Sequence, residues 1–307
     1  MTQKRMNTQY TIRGDVWMPC AQTIGKMPAG FYDVVEVGSQ VGLRAKDIVS
    51  DELIDMPGTI ADDIFADAKM FLEAQDDYKA YGLTHKRGYL FFGPPGSGKT
   101  SLGQMLARRF IDQVDGVVMF IDSMSALYNG VEIMREVEPD RPSMFLIEEV
   151  EMIINNPLGL SILDGERSIQ GAIFVAMTNY KEKLPPRIAN RPGRFDRVEL
   201  VECPPPAVQI EYLRRIAERR QSPLADCTPH SAPPAIARDI VEALAGLPLS
   251  MAHLREAFIS YVLMGLTLSE LRKRFEEMGG YTKDISPSFD HYENSEWKPN
   301  DDENPFA

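Results

Sequence analysis

Short, nearly continuous apolar runs alternate along this chain with longer stretches whose apolar residues recur at three- and four-residue spacing. Gly88–Phe92, Val117–Ile121, Met144–Ile147, Ala172–Met177 and Val198–Val201 are of the first kind. Runs of this length separated by helical segments predict a parallel sheet covered on both faces. Ile60, Ile64, Ala68, Phe71 and Leu72 share one helical face. Thr59 reads as the N-cap of that helix, which runs to about Tyr81 and stops at Gly82. Leu102, Met105, Leu106 and Phe110 form a second stripe. Pro204-Pro205-Pro206 closes the alternating region, and everything after it to about Met278 is helical in pattern. The stripes there are Ile210, Leu213, Ile216 and Ala217, then Ile236, Ile240, Leu244 and Leu247, then Leu254, Phe258, Tyr261 and Val262.

The first fifty residues differ. Phe31–Val37 is rich in strand formers between turns at Pro28-Ala29-Gly30 and Gly38-Ser39-Gln40, and Val41–Val49 is placed to pair back. The expected organisation is therefore a small β-rich element over 1–50, an α/β domain over 51–203, a small all-helical domain over 204–278 and an acidic disordered tail over 279–307. The tail changes the reading of charge. The net charge is −12, and residues 284–307 carry seven acidic side chains against one lysine, half of it. The body is then only mildly acidic, which argues against a dominant nucleic-acid surface while leaving room for a local basic groove. No run approaches the ~18 apolar residues of a membrane span. Met1–Tyr10 is polar and holds no secretory signal. Cys20, Cys203 and Cys227 are odd in number and scattered, which suits a reducing compartment. A cytoplasmic protein is the expectation.

The candidate chemistry lies between the first buried strand and the helix that follows it. Residues 93–100 read Gly-Pro-Pro-Gly-Ser-Gly-Lys-Thr, a complete phosphate-loop pattern. Glycines let backbone N–H groups close around phosphate oxygens, and the helix N-terminus adds a partial positive charge. Pro95, Gly96, Ser97, Gly98, Lys99, Thr100 and Ser101 are the candidate nucleotide-binding residues, with Lys99 on the phosphates and the Thr100 hydroxyl on Mg²⁺. The strand Met144–Ile147 ends in Glu148-Glu149, followed by Glu151. Carboxylates at the C-terminal end of a buried parallel strand lie where such sheets bind ligands. Glu148 is expected to serve the metal, directly or through water, and Glu149 to polarise the attacking water. Asn179, at the end of the Ala172–Met177 strand, is placed to orient that water. Asn190-Arg191-Pro192-Gly193-Arg194-Phe195-Asp196 holds two arginines on a short turn, from which they can reach a neighbouring subunit's γ-phosphate.

Taken in series, these motifs resemble the AAA+ ATPases over roughly Asp51–Met278. Gly93–Thr100 is similar to Walker A, Phe145–Glu149 to Walker B, Asn179 to sensor 1, and Arg191 and Arg194 to the paired arginine fingers of the AAA subgroup. Ser161–Gly165 resembles that subgroup's Leu-Asp-Gly segment. Lys86–Leu90 and Thr178-Asn179-Tyr180 are most similar to the ATPase module of the mitochondrial Rieske-protein translocase and its bacterial and phage relatives. The resemblance implies a P-loop NTPase sheet flanked by helices, followed by a helical lid. It implies ATP and Mg²⁺ as cofactors, and a homo-oligomeric ring, a hexamer, acting on a protein partner. A nucleic-acid motor or loader and a nucleotide-gated scaffold with slow turnover are the alternatives. Arg255 falls at the family's sensor 2 position, to contact the γ-phosphate or to stand on the lid surface. Leu127-Tyr128-Asn129-Gly130 aligns with a pore loop, and Tyr128 is either that or a packed aromatic. Two departures stand out. Glu148 replaces the usual Asp and pushes its carboxylate about 1.5 Å further out. The stretch Glu151–Gly165 is short, so its helix must be clipped.

Overall fold

The computed structural model describes residues 8–13, 16–21, 23–38, 40–47, 60–165, 170–181, 184, 188, 193–218 and 233–278. Thr59, Arg191, Cys227 and the 279–307 tail lie outside the described residues. The chain divides into two units, one running to Val208 with Ser250–Ala252, the other comprising Gln209–Leu249 and the residues from His253 on.

In the first unit a hairpin of β1 (Thr8–Arg13) and β2 (Val16–Ala21) stands as its own two-stranded sheet. A second hairpin, β3 (Gly30–Val37) and β4 (Gln40–Lys46), is antiparallel and turns at Gly38. This hairpin is built into the main sheet, because β3 pairs in parallel with β6 (Val117–Ile121). The β-rich N-terminal segment is thus not one separate element. Tyr32 and Phe31 explain the attachment: each is buried, on opposite faces of the sheet, in the same clusters as the central strands.

The seven strands run in the order β4-β3-β6-β7-β8-β5-β9, with β5 (Lys86–Phe92), β7 (Ser143–Ile147), β8 (Ala172–Thr178) and β9 (Arg197–Leu200) completing it. All pairings from β3 through β9 are parallel. Parallel strands need crossovers, and the apolar stripes supply them as helices on both faces. Period-two alternation sends Tyr89, Phe91, Val118, Leu146 and Val175 to one face. There they pack on α1 (Ile60–Glu73) and α3 (Lys99–Val114) through Ile64, Phe71, Leu106 and Phe110. Leu90, Met119, Phe145, Ile147 and Phe174 go to the other face, against Leu127 and Val131 of α4 (Met124–Val137). Phe145 and Phe174 stack with ring centres 5.1 Å apart. Truncating a buried Phe such as these to Ala costs about 3–5 kcal/mol.

One local expectation needs correction, and two others take definite form. The helix expected from residue 60 to Tyr81 breaks at Ala74, giving α1 and a short α2 (Gln75–Ala80). The apolar stripe ends at Leu72 and no α2 side chain is fully buried; Tyr78 alone packs back, edge-on to Phe71 with ring centres 5.6 Å apart. The expected clipped helix after Glu151 is two pieces, α5 (Glu151–Ile154) and α6 (Pro157–Asp164), separated by Asn156, which N-caps the second at Leu158 N. Finally, Leu127–Gly130 lies inside α4. Leu127 is fully buried, and a Cβ at Gly130 would come 2.9 Å from Met119 Sδ. Tyr128 packs partly buried on the same core, so this segment is a core helix face rather than a loop.

The second unit is helical: α7 (Pro206–Glu218), which begins at the boundary, α8 (Pro233–Ala243), α9 (Met251–Phe258) widening into a π-helical turn over Ile259–Leu263, and α10 (Leu268–Met278). Leu213, Ala237, Ile240, Leu244, Leu254, Ala257 and Leu271 are fully buried. Arg272 donates 2.8 Å to Ala243 O, closing the C-terminal end of α8. Among the described residues no helix is long and apolar enough to cross a membrane.

Candidate active site

The strand order fixes where a ligand can sit. The chain leaves β5 for β6, returns strand by strand through β7 to β8, then crosses to β9 on the other side of β5. Order reverses at β5, and crevices beyond the carboxyl ends of strands at such a point are where open α/β sheets bind ligands. Register aligns those ends: Phe92 pairs with Thr178 and with Leu200, and Ile147 with Ala176. Gly93, Glu148 and Asn179 therefore leave the sheet along one edge.

The loop after β5 turns on Gly93, Gly96 and Gly98, all at positive φ (153°, 76° and 104°), a region that costs any other residue strain. Gly98 is the N-cap of α3, with no side chain capping the helix and no acidic residue in its first turn. The first amides of a sixteen-residue helix are thereby left to a ligand, beside the positive end of its dipole. Lys99 is buried and curls back, its Nζ donating 2.9 Å to each of Gly93 O and Pro94 O. Burial pushes its ammonium down from 10.5 to about 8, partly offset by Cys203. Burial in turn pushes the Cys203 thiol up. Ser97 is buried too, and among the described residues its Oγ has no hydrogen-bond partner. Pro95, Gly96, Thr100 and Ser101 are exposed.

Glu148 and Glu149 follow β7 directly and are exposed, whereas Val150 is buried and donates its N–H 3.1 Å to Met177 O. Asn179 is exposed at the end of β8. Among the described residues no three His, Cys, Asp or Glu side chains could enclose a metal. That donor set still fits Mg²⁺, which keeps several waters and takes one or two carboxylates plus phosphate oxygens. An exposed hydroxyl (Thr100) and an exposed carboxylate (Glu148) beside a phosphate loop are such a set, and the orphan Ser97 Oγ marks the loop as shaped for a further polar group.

The arginine turn contradicts one expectation. Arg194 does not project from the surface. It is buried and makes a bidentate pair with Asp164 at the end of α6, Nε to Oδ1 at 2.7 Å and Nη2 to Oδ2 at 2.8 Å. That hydrogen bonding raises its pKa further above the ordinary guanidinium value. Both neighbours of the turn are also tied down. Asp196 Oδ2 accepts from Gly88 N and Asp196 N donates to Gly88 O, each at 2.8 Å. Lys86, its pKa lowered by burial, donates to Gly193 O. Gly88 has to be glycine, since a Cβ there would overlap the Arg194 carbonyl. Sequence reasoning missed Asp164, Lys86 and Gly88 as the anchors of this turn, although the Leu-Asp-Gly segment and Lys86–Leu90 each stood out as motifs. Arg191 lies outside the described residues, and Arg255 is an exposed residue of α9 in the second unit.

Known proteins are similar to this chain over the region that carries these loops. Residues 89–203 match the family described as "ATPase family associated with various cellular activities (AAA)". The ATP-dependent zinc metalloprotease FtsH of Corynebacterium glutamicum is 29% identical over 183 residues, covering 52% of this chain and 21% of that protein. The mitochondrial chaperone BCS1 of Homo sapiens is 30% identical over 161 residues, covering 46% and 38%. The chain thus spans between about a fifth and two fifths of the length of these relatives. The structure of C. elegans PCH-2 superposes with a TM-score of 0.51 at 18% identity, over 76% of this chain and 70% of that one, a likeness of fold.

Proposed function

We propose that the chain hydrolyses ATP with Mg²⁺ at a site completed by a second copy of itself, a reading supported by the match of residues 89–203 to the AAA ATPase family. The observation that carries the reading is the shared sheet edge, where the phosphate loop, Glu148-Glu149 and Asn179 emerge from strands in register. Pro95–Ser101 would hold the phosphates, and Thr100 with Glu148 would hold the metal, which would supply positive charge to the transferred phosphoryl group. Glu149 takes the proton of the attacking water and Asn179 orients it. Arg191 of a neighbouring copy reaches the γ-phosphate, while Arg194, paired with Asp164, holds the turn that presents it. The proposed assembly is a hexameric ring in the cytoplasm, and turnover remodels a protein partner.

Glu149→Gln tests the chemistry. It keeps the side chain's size and removes its basicity, so ATP binding is expected to persist while turnover falls by about 10²–10⁴. Normal hydrolysis by that variant would move the base to another residue. A slow scaffold remains the second reading because of Glu148, and it requires a wild-type chain that binds ATP with Mg²⁺ and barely turns it over.

A further inference from the structure

Glu151 and Thr178 have no part in the roles just assigned, yet they join the two loops that carry those roles. Thr178 ends β8 and is 2% exposed. Its hydroxyl donates to Glu151 Oε1, at the start of α5, and accepts the Tyr180 N–H at 2.8 Å. One hydroxyl thus uses its proton and a lone pair at once. The bond to Tyr180 closes a turn of the Ser/Thr type, in which a side-chain oxygen bonds the backbone two residues on. Asn179 is the residue inside that turn. On the other loop, Val150 N–H bonds Met177 O. Glu149 is therefore held between β7 and a residue stitched to β8, and Asn179 between the two ends of a turn stitched to α5.

We propose that Thr178 and Glu151 are positioning residues of the ATPase site: their hydrogen bond sets the separation of Asn179 from Glu149. The inference rests on the ATPase reading above and deepens it. A buried hydroxyl has little water to fall back on, so its loss frees the turn at Asn179 and leaves Glu151 to swing away. Water orientation is sensitive to such changes, since misplacement by about 1 Å can cost a factor of 10². Phosphate binding depends on the other loop and is spared.

The test compares Thr178→Val, Thr178→Ser and Glu151→Ala in the full chain, by ATP turnover with Mg²⁺ and by binding of a fluorescent ATP analogue. Thr178→Val is expected to lower kcat about tenfold or more while the analogue's Kd stays within roughly twofold. Thr178→Ser, which keeps the hydroxyl, is expected to restore kcat. Glu151→Ala breaks the same bond from its more accessible side, and carries the same expectation if Thr178→Val does not fold. Wild-type kcat in the Val or Ala variant overturns the inference. So does a Ser variant as impaired as Val, or a loss of analogue affinity equal to the loss of kcat. A wild-type chain that binds the analogue and turns over no ATP overturns the ATPase reading itself, and this inference with it.

Discussion

Lys99 is a buried ammonium held by two backbone carbonyls of its own loop, and its position on the pH scale follows from that. Burial lowers it to about 8, so in the unliganded chain it loses its proton just above neutrality. Phosphate favours the charged form, so bound nucleotide raises the same pKa. ATP affinity is therefore expected to be highest below pH 8. Above it, affinity should weaken by up to about tenfold per pH unit until the pKa of the bound state is reached. Titration of a fluorescent ATP analogue from pH 7 to about 9.5 checks this, and a flat profile would remove Lys99 from the phosphates. Stability takes the opposite sign. Between about 8 and the unfolded value of 10.5 the unfolded chain holds the extra proton, so the Lys99 contribution improves as pH rises.

Among elements, the most demanding is the turn that carries Arg194. It is clamped by Gly88, Lys86 and Asp164, which come from β5 and α6, far away in sequence. Gly88→Ala forces a methyl group onto the Arg194 carbonyl, and overpacking of this kind costs typically 1–3 kcal/mol. A urea melt is expected to show the lost stability, together with reduced ATP turnover at wild-type analogue affinity. A variant that melts like the wild type would mean the turn is less constrained than its hydrogen bonds indicate. Elements of this kind also mark what was legible in the sequence. Buried strands were, because Val117–Ile121 or Ala172–Met177 can hardly be anything else at their length. The phosphate loop was, because glycine, lysine and threonine spacing is local. The attachment of β3 to β6, the pairing of Arg194 with Asp164 and the Thr178–Glu151 bond were not. Each joins residues from separate segments, through tertiary packing that no local period records.

For the molecule as a whole, the proposed site belongs to two chains. A phosphate loop on one subunit and an arginine turn on the next is a heterologous contact, which closes into a ring only when the rotation between copies allows it. Removing either half from different copies should therefore be curable by mixing. Glu149→Gln keeps the arginine turn and lacks the base; Arg191→Ala keeps the base and lacks the arginine. Each alone is expected to be nearly inactive. The decisive measurement is ATP turnover of the two variants mixed in equal amounts. With random neighbours in a ring, recovery to roughly a quarter of wild-type turnover is predicted, since that share of interfaces has both halves. A mixture no more active than its separate components, or an Arg191→Ala chain as active as the wild type, would contradict a site shared between subunits.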